Sequence, residues 1–457
     1  MSTKLFDNVI EKGILFLIVF TPLAFGSVQD WSTAILELVS FTVMAAWAAK
    51  LSSGKAIALR RTPFLWLIAG FLGLVIIQLL PLPAAVLGAI SPAHQSLSHD
   101  LLQNESMIFT SISIAPGMTQ DELYKLLAYF GIFIVVINHY QERRQIEPVI
   151  WTAIGTGCFV TLIALAQKIS WNGRLYWIYP VDPILKSNTD YIWGPFINHN
   201  HFAGYLELVM PLGFALFLYL ASKARDSLSQ VLLAGLGAII MAAGIVISLS
   251  RGGILGASTS IIVLLVLARS RRSLKKATVL LMAAGVIVSC SIALAAWDRV
   301  EDRFAEIGQE RKIIRPDIWR DSLKVIGDFP IIGTGLGTFG RIYPVYQTKY
   351  STLTFEHAEN DYIEILTDTG AIGLACLLAL VALYLRTTYA QWKDRKNLFV
   401  ISLAAGGLAS CAAILVHSLT DFNSRIPANM ITLAIIAGLT HALVMNVGQK
   451  GNRADSR

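Results

Sequence analysis

Apolar runs close to the length of a bilayer crossing alternate with short polar links along almost the whole chain. About 20 residues of helix cover the hydrocarbon core. Twelve segments approach that length: 11–27, 31–49, 63–81, 122–139, 148–169, 199–221, 230–250, 252–268, 277–297, 362–385, 398–417 and 427–446. The pattern predicts an all-α polytopic membrane protein. Only Arg251-Gly252 separates the seventh and eighth segments, which predicts a tight hairpin there.

Composition excludes a soluble domain. Of 457 residues 55% are hydrophobic and 15% charged, against roughly a quarter charged in soluble proteins. The cations are unevenly placed. Threading twelve helices in order puts Lys50, Lys55, Arg60 and Arg61 on one side, together with Arg143, Arg144, Lys223 and Arg225. The links 269–276 and 386–396 and the tail from Lys450 join them there. The other side receives 82–121, which has no Lys or Arg, and then 170–198, 298–361 and 418–426. The positive-inside bias makes the first side cytoplasmic, with both termini, and turns the long loops outward. The net charge of +7 is therefore a topology signal and not a nucleic-acid surface. Met1–Phe25 has signal-peptide features in Lys4, Lys12 and the apolar run that follows, but no A-x-A site, so it reads as a retained first helix. The four cysteines lie inside apolar spans without a C-x-x-C pair, which points to neither disulfides nor structural zinc.

Polar chemistry concentrates between Arg315 and Gly373. His357, Asn360, Asp361 and Glu364 are spaced so that a helix would carry all four on one face, at the outer end of an apolar run. A membrane helix that begins polar on one stripe lines a wet cavity. Upstream, Ile318, Trp319, Leu323 and Ile326 predict an amphipathic helix along the membrane face, ended by Asp328-Phe329-Pro330. The glycines at 333, 335, 337 and 340 are weak evidence for phosphate binding and fit a flexible turn at a cavity rim better. Segment 170–198 is aromatic, with Trp171, Tyr176, Trp177, Tyr179, Tyr191 and Trp193 as interfacial anchors or as sugar-stacking rings. It leads into Asn198, His199, Asn200 and His201. On a helix, histidines two apart diverge, so hydrogen bonding at a cavity mouth fits them better than a shared metal. His94 and His99 read as solvated loop residues. Arg251 lies on the face that the inside bias does not explain, as a snorkelling cation or as a guanidinium aimed at an anion.

Four pieces occur in order: N-H-N-H-F-A-G-Y from Asn198, S-R-G-G from Ser250, R-x-x-x-W from Arg315 followed by D-F-P and glycine turns, and His357 ahead of the G-x-x-G at Gly370. In these pieces and their order the chain resembles the bacterial O-antigen ligase and polymerase superfamily over residues 190–385, with 1–189 and 386–457 as flanking helical regions. The resemblance implies a GT-C-like membrane glycosyltransferase with one large periplasmic loop, 298–361, in the bacterial inner membrane. It implies transfer of a glycan from an undecaprenyl-pyrophosphate donor to lipid A core or to a growing glycan, without cofactor or metal. By match of position it implies Arg251 and Arg315 as donor-pyrophosphate ligands and His357 as the catalytic residue. Asn198, Asn200, His201, Trp319, Asn360, Asp361 and Glu364 are the supporting candidates. Two arginines can stabilise a pyrophosphate leaving group, and an imidazole has the intrinsic pKa for a base. A secondary transporter and a non-catalytic glycolipid-binding protein are the alternatives. Polar groups gathered at outer helix ends, and not at mid-membrane, weigh against the transporter.

Overall fold

The computed structural model describes residues 3–53, 62–94, 96, 109–180, 194–223, 228–271, 274, 314–349 and 354–446. The predicted span 277–297, together with His99, Tyr191 and Trp193, lies outside them.

The chain is an all-α polytopic membrane protein. Its main helices are α1 (Thr3–Leu23), α2 (Asp30–Ser52), α3 (Leu65–Leu79), α4 (Ala84–Ile90), α5 (Pro116–His139), α6 (Arg143–Ile169), α7 (His199–Ala221), α8 (Leu228–Ile247), α9 (Arg251–Arg269), α10 (Ile314–Asp328), α11 (Phe339–Tyr346), α12 (Asp361–Lys393), α13 (Leu398–His417) and α14 (Pro427–Asn446). Among the described residues nine are long and apolar enough to cross a bilayer. Two more occupy predicted spans but fall short of that measure. α3 has 15 residues, and α1 carries Lys4, Asp7, Glu11 and Lys12 in its first half.

Helix α7 is apolar all round and enclosed by the others, with α13 and α14 nearly as enclosed; these three form the centre of the bundle. α2, α8 and α9 turn Leu38, Leu232, Leu236, Ile262 and Val266 outward, as a lipid-facing surface requires. The turn between α8 and α9 falls at Ser248–Ser250, slightly earlier than predicted. Leu249 has positive φ, Ser250 Oγ accepts from Gly253 N (3.1 Å), and Arg251 is the first helical residue.

Described residues of several basic links meet one another in space. Arg271 donates to the carbonyls of Trp392, Lys393 and Arg395, Arg143 donates to Tyr219 Oη, and Arg395 donates to Val444 O. Lys50 pairs with Asp7 (2.6 Å), and Gln145 donates to Glu11 (2.9 Å). These contacts gather the described parts of the basic links at one end of the bundle. The segments around 194–201, 248–252, 330–338, 354–361 and 418–426 meet at the other.

At that second end α12 is broken. Gly370 has φ +61° and ψ −169°, so the helix hydrogen bonds lapse there. The glycine-rich segment 330–338 fills the gap. Thr334 N and Gly335 N donate to Thr367 O and Asp368 O, while Pro330 O and Ile331 O accept from Ala371 N and Ile372 N. Gln78 of α3 completes the junction, donating to Ile332 O and Asp368 O and accepting from Leu336 N. A broken helix at membrane depth must re-satisfy its backbone groups within protein. The glycines are therefore a hydrogen-bonded plug and not the flexible rim expected from sequence.

Candidate functional site

Helix α10 forms where the amphipathic pattern predicts it, and its inner face packs within the protein. Ile318 is buried against Phe339, Tyr343 and Ala358, and Trp319 Nε1 donates to Ala358 O (2.9 Å). Its inner face thus braces the segment that carries His357. Asp321 helps by accepting from Thr348 N and Oγ1. His94 is buried too, not solvated, and that burial lowers its pKa.

A second correction concerns His357 itself. Asn360 is the N-cap of α12, accepting from Tyr362 N and Ile363 N, so His357 precedes the helix and does not share its face. Contact with Glu364 is made by reaching across the cap. His357 Nδ1 lies 2.9 Å from Glu364 Oε1, and Glu364 Oε2 accepts from Ala358 N (2.9 Å). A carboxylate can only accept, so the proton sits on Nδ1 and the lone pair on Nε2. The imidazole is stacked on Phe422, with centroids 4.1 Å apart and planes at 19°. Glu364 is buried, whereas the His357 side chain keeps 30% exposure. Burial works against the imidazolium, but the Glu364 carboxylate outweighs it and raises the His357 pKa above its ordinary value.

The turn 418–426 between α13 and α14 holds the site together. Asp361 N donates to Ser418 O and Asp421 O, and the Asp361 carboxylate accepts from Ser424 N and Oγ. Asn360 Nδ2 donates to Leu419 O. Asn360 and Asp361 thus fasten α12 to the turn and do not face a cavity. His201 meets the same Phe422 edge-on at 4.6 Å, with Nε2 3.3 Å from Asp421 Oδ1. Asn198 caps α7 by accepting from Asn200 N (2.8 Å), which fixes the turn of helix bearing His201.

Arg315 joins from α10. Its Nε and Nη2 donate to Glu359 Oε2 at 3.2 and 2.7 Å, and Nη2 lies 3.8 Å from Asp421 Oδ2. Two of its five donors are engaged, and the side chain is 39% exposed. Burial acts to raise the Asp421 pKa, yet His201, His417 and Arg315 hold it down at about 2. Burial and the Asp421 charge push Glu359 up, against the pull of Arg315. Arg251 opens α9 as an exposed residue. Its neighbour Gly252 is pressed against the turn, where an added Cβ would fall 2.6 Å from both His417 Nε2 and Thr420 Oγ1. Arg251, Arg315 and His357 therefore border one turn.

Sequence reasoning missed the group behind His357. Arg425, 7% exposed, donates through Nε to Glu364 Oε1 (2.8 Å), through Nη1 to Glu122 Oε2 (3.2 Å) and through Nη2 to Asp368 Oδ2 (2.5 Å). Asp368 also accepts from Gly337 N of the plug, and Lys125 pairs with Glu122. A further buried pair, His417 Nδ1 and Glu207 Oε1 at 3.0 Å, joins α13 to α7. Among the described residues no group of three or more His, Cys, Asp or Glu side chains is disposed to hold a metal ion.

Beside Arg425 a cavity of about 250 Å³ opens between α3, α5, α12, α13 and α14. Phe71, Leu126, Phe130, Leu380, Ile414 and Leu433 line it, and Glu122, Ser424 and Arg425 form its polar end.

Fold and site together define a polytopic membrane protein with an ionic, histidine-bearing site at one end of its bundle. Residues 236–378 match the model of the O-antigen ligase family, a likeness that supports the O-antigen ligase/polymerase superfamily. The match takes in Arg251, Arg315, His357, Glu364 and the plug. Glu122, His201, Asp421, Phe422 and Arg425 come from outside it. No curated protein matches the chain.

Proposed function

We propose that the protein is a metal-independent, inverting membrane glycosyltransferase. It moves a glycan from an undecaprenyl-pyrophosphate donor to an acceptor hydroxyl on the periplasmic face of the bacterial inner membrane, as an O-antigen ligase with lipid A core as acceptor. A polymerase that extends a second glycan chain uses the same chemistry. The observation that carries the reading is the His357–Glu364 pair: a buried carboxylate fixes Nδ1–H, leaving a basic Nε2 on a partly exposed ring.

In the proposed step Nε2 takes the acceptor hydroxyl proton as the oxygen attacks the anomeric carbon. The bond from that carbon to the pyrophosphate oxygen breaks, and the electron pair leaves with undecaprenyl pyrophosphate. Single displacement inverts the anomeric centre. Arg251 and Arg315 stabilise the charge that develops on the leaving group. The apolar cavity beside Arg425 suits a polyprenyl chain, and its polar end is one carboxylate away from His357. We take 190–385 as the core, with 1–189 contributing Glu122 and 386–457 contributing Arg425. In this reading the basic links face the cytoplasm, with both termini, and the site faces outward, as the positive-inside bias favours.

The arginines supply a test. Lysine retains charge but loses the fork. Arg251→Lys and Arg315→Lys are expected to keep weak donor binding in proteoliposomes, and the alanine variants less. Wild-type donor affinity in both alanine variants would remove the pyrophosphate assignment. Sizing the product separates the two activities: a discrete shift of lipid A core marks a ligase, and a ladder marks a polymerase.

A further inference from the structure

His357 does not meet a lone carboxylate. Its partner Glu364 is shared with Arg425 through the same oxygen, Oε1, and Arg425 is in turn divided between Glu364, Asp368 and Glu122. Lys125 draws on Glu122 from the far side. We infer that Arg425 is a positioning residue for His357: acting through Glu364, it fixes the ring and sets how strongly Nε2 holds a proton. The inference rests on the proposed role of His357 as base and adds the device that tunes it.

The argument is one of charge and geometry. Three carboxylates, Glu364, Asp368 and Glu122, surround one guanidinium, and Lys125 meets only the outermost of them. A carboxylate-rich surround favours a proton on the imidazole. Unopposed, Glu364 would hold that proton tightly and leave the base blocked at neutral pH. Arg425, 2.8 Å from the same oxygen, withdraws part of that pull. Glu122 and Asp368 in turn take up part of the Arg425 charge and limit the withdrawal. Other charged groups surround the turn and the cluster: Glu359 on the His357 segment, Arg315 on α10, Asp361 on α12, Asp421 on the turn, His201 on α7 and Lys125 on α5. None of these shares an oxygen with the imidazole as Arg425 does. Arg425 also donates to Asp368, which is tied to the plug through Gly337, so the ring's tether is continuous with the broken segment of α12.

The consequence is a pair of opposite shifts. Arg425→Met leaves Glu364 unopposed and should raise the His357 pKa. Glu122→Gln frees the Arg425 charge to act on Glu364 and should lower it, as should Glu364→Gln by deleting the partner. The probe is diethyl pyrocarbonate, which modifies only neutral imidazole. Its rate at the His357 peptide is followed by mass spectrometry from pH 5 to 9 in purified full-length protein, with glycan transfer measured on the same samples. The expected result is a midpoint that rises for Arg425→Met and falls for both glutamine variants, with the acid limb of transfer moving in parallel. If Arg425→Met does not fold, the two isosteric glutamine variants carry the test. Unchanged midpoints, or Glu122→Gln and Glu364→Gln moving in opposite directions, overturn the inference even where the wild type transfers glycan. Shifted midpoints in a wild type that transfers nothing overturn the reading of His357 as base and leave the tuning intact.

Discussion

His357→Gln is expected to bind the donor as wild type does and to transfer almost no glycan. Glutamine can take the position of the ring and donate to Glu364, but it cannot accept the acceptor proton at neutral pH. General-base catalysis contributes about 10²–10⁴-fold, so a loss in that range is predicted. The stacking on Phe422 and the bond to Glu364 orient the imidazole, whereas the groups proposed to hold the pyrophosphate are Arg251 and Arg315; on that proposal binding and transfer should separate. The pH dependence has a definite sign. The folded His357 pKa lies above its ordinary value of about 6.5, so transfer should fall as pH drops through that raised value. The stability of the His357–Glu364 pair runs the other way. It is fully present below the unfolded pKa and is lost as pH rises through the folded one. The enzyme should thus be most active where this pair contributes least to holding it together. Transfer rates and thermal unfolding midpoints across the same pH series check both halves.

Gly370→Ala is expected to yield little folded protein. The backbone at φ +61° and ψ −169° is essentially closed to residues with a Cβ, which costs about 1–3 kcal/mol before any clash. An added Cβ would then fall 2.3 Å from both the carbonyl carbon and oxygen of Ile331, which are backbone atoms of the plug and cannot swing aside. If the plug moves, Thr367 O, Asp368 O and the amides of Ala371 and Ile372 lose their partners at membrane depth, and the Asp368 contact to Gly337 goes with them. Gly73 in α3 is the internal control, because an added Cβ there meets nothing within 4 Å. Gly73→Ala should match the wild type or exceed it by up to about 1 kcal/mol, since alanine favours helix. Thermal stability of the two variants in detergent, read by size exclusion, decides the matter. Equal stability of Gly370→Ala and wild type would mean that the break in α12 is not needed.

The helical class was legible because the apolar runs match the thickness of a bilayer, and the two-ended arrangement because the basic links repeat it six times along the chain. Local caps were less visible. His357, Asn360, Asp361 and Glu364 look like one helical face by spacing, yet Asn360 Oδ1 ends the helix there and Glu364 reaches back past it. The break at Gly370 was hidden because the apolar run continues straight through it, and the plug that repairs it sits 33 residues upstream at its Thr334–Thr367 bond. Arg425 carried a usable signal: like Arg251, it is a cation on the face where the inside bias predicts none. Glu122 and Glu207 were acids inside or beside apolar runs, which in a membrane protein ask for a partner. Naming those partners needed three dimensions, since Arg425 meets Glu122 across 303 positions and His417 meets Glu207 across 210.

The central claim is that this protein moves a glycan off a lipid pyrophosphate and onto an acceptor. The direct measurement uses proteoliposomes of the purified chain, an undecaprenyl-pyrophosphate glycan labelled in its sugar, and an acceptor glycolipid. Labelled sugar on the acceptor and released undecaprenyl pyrophosphate are followed together. The account predicts that both form in equal amounts with the wild type and that neither forms with His357→Gln. Labelled donor that crosses the bilayer unchanged, or stays bound and unconsumed, would contradict it.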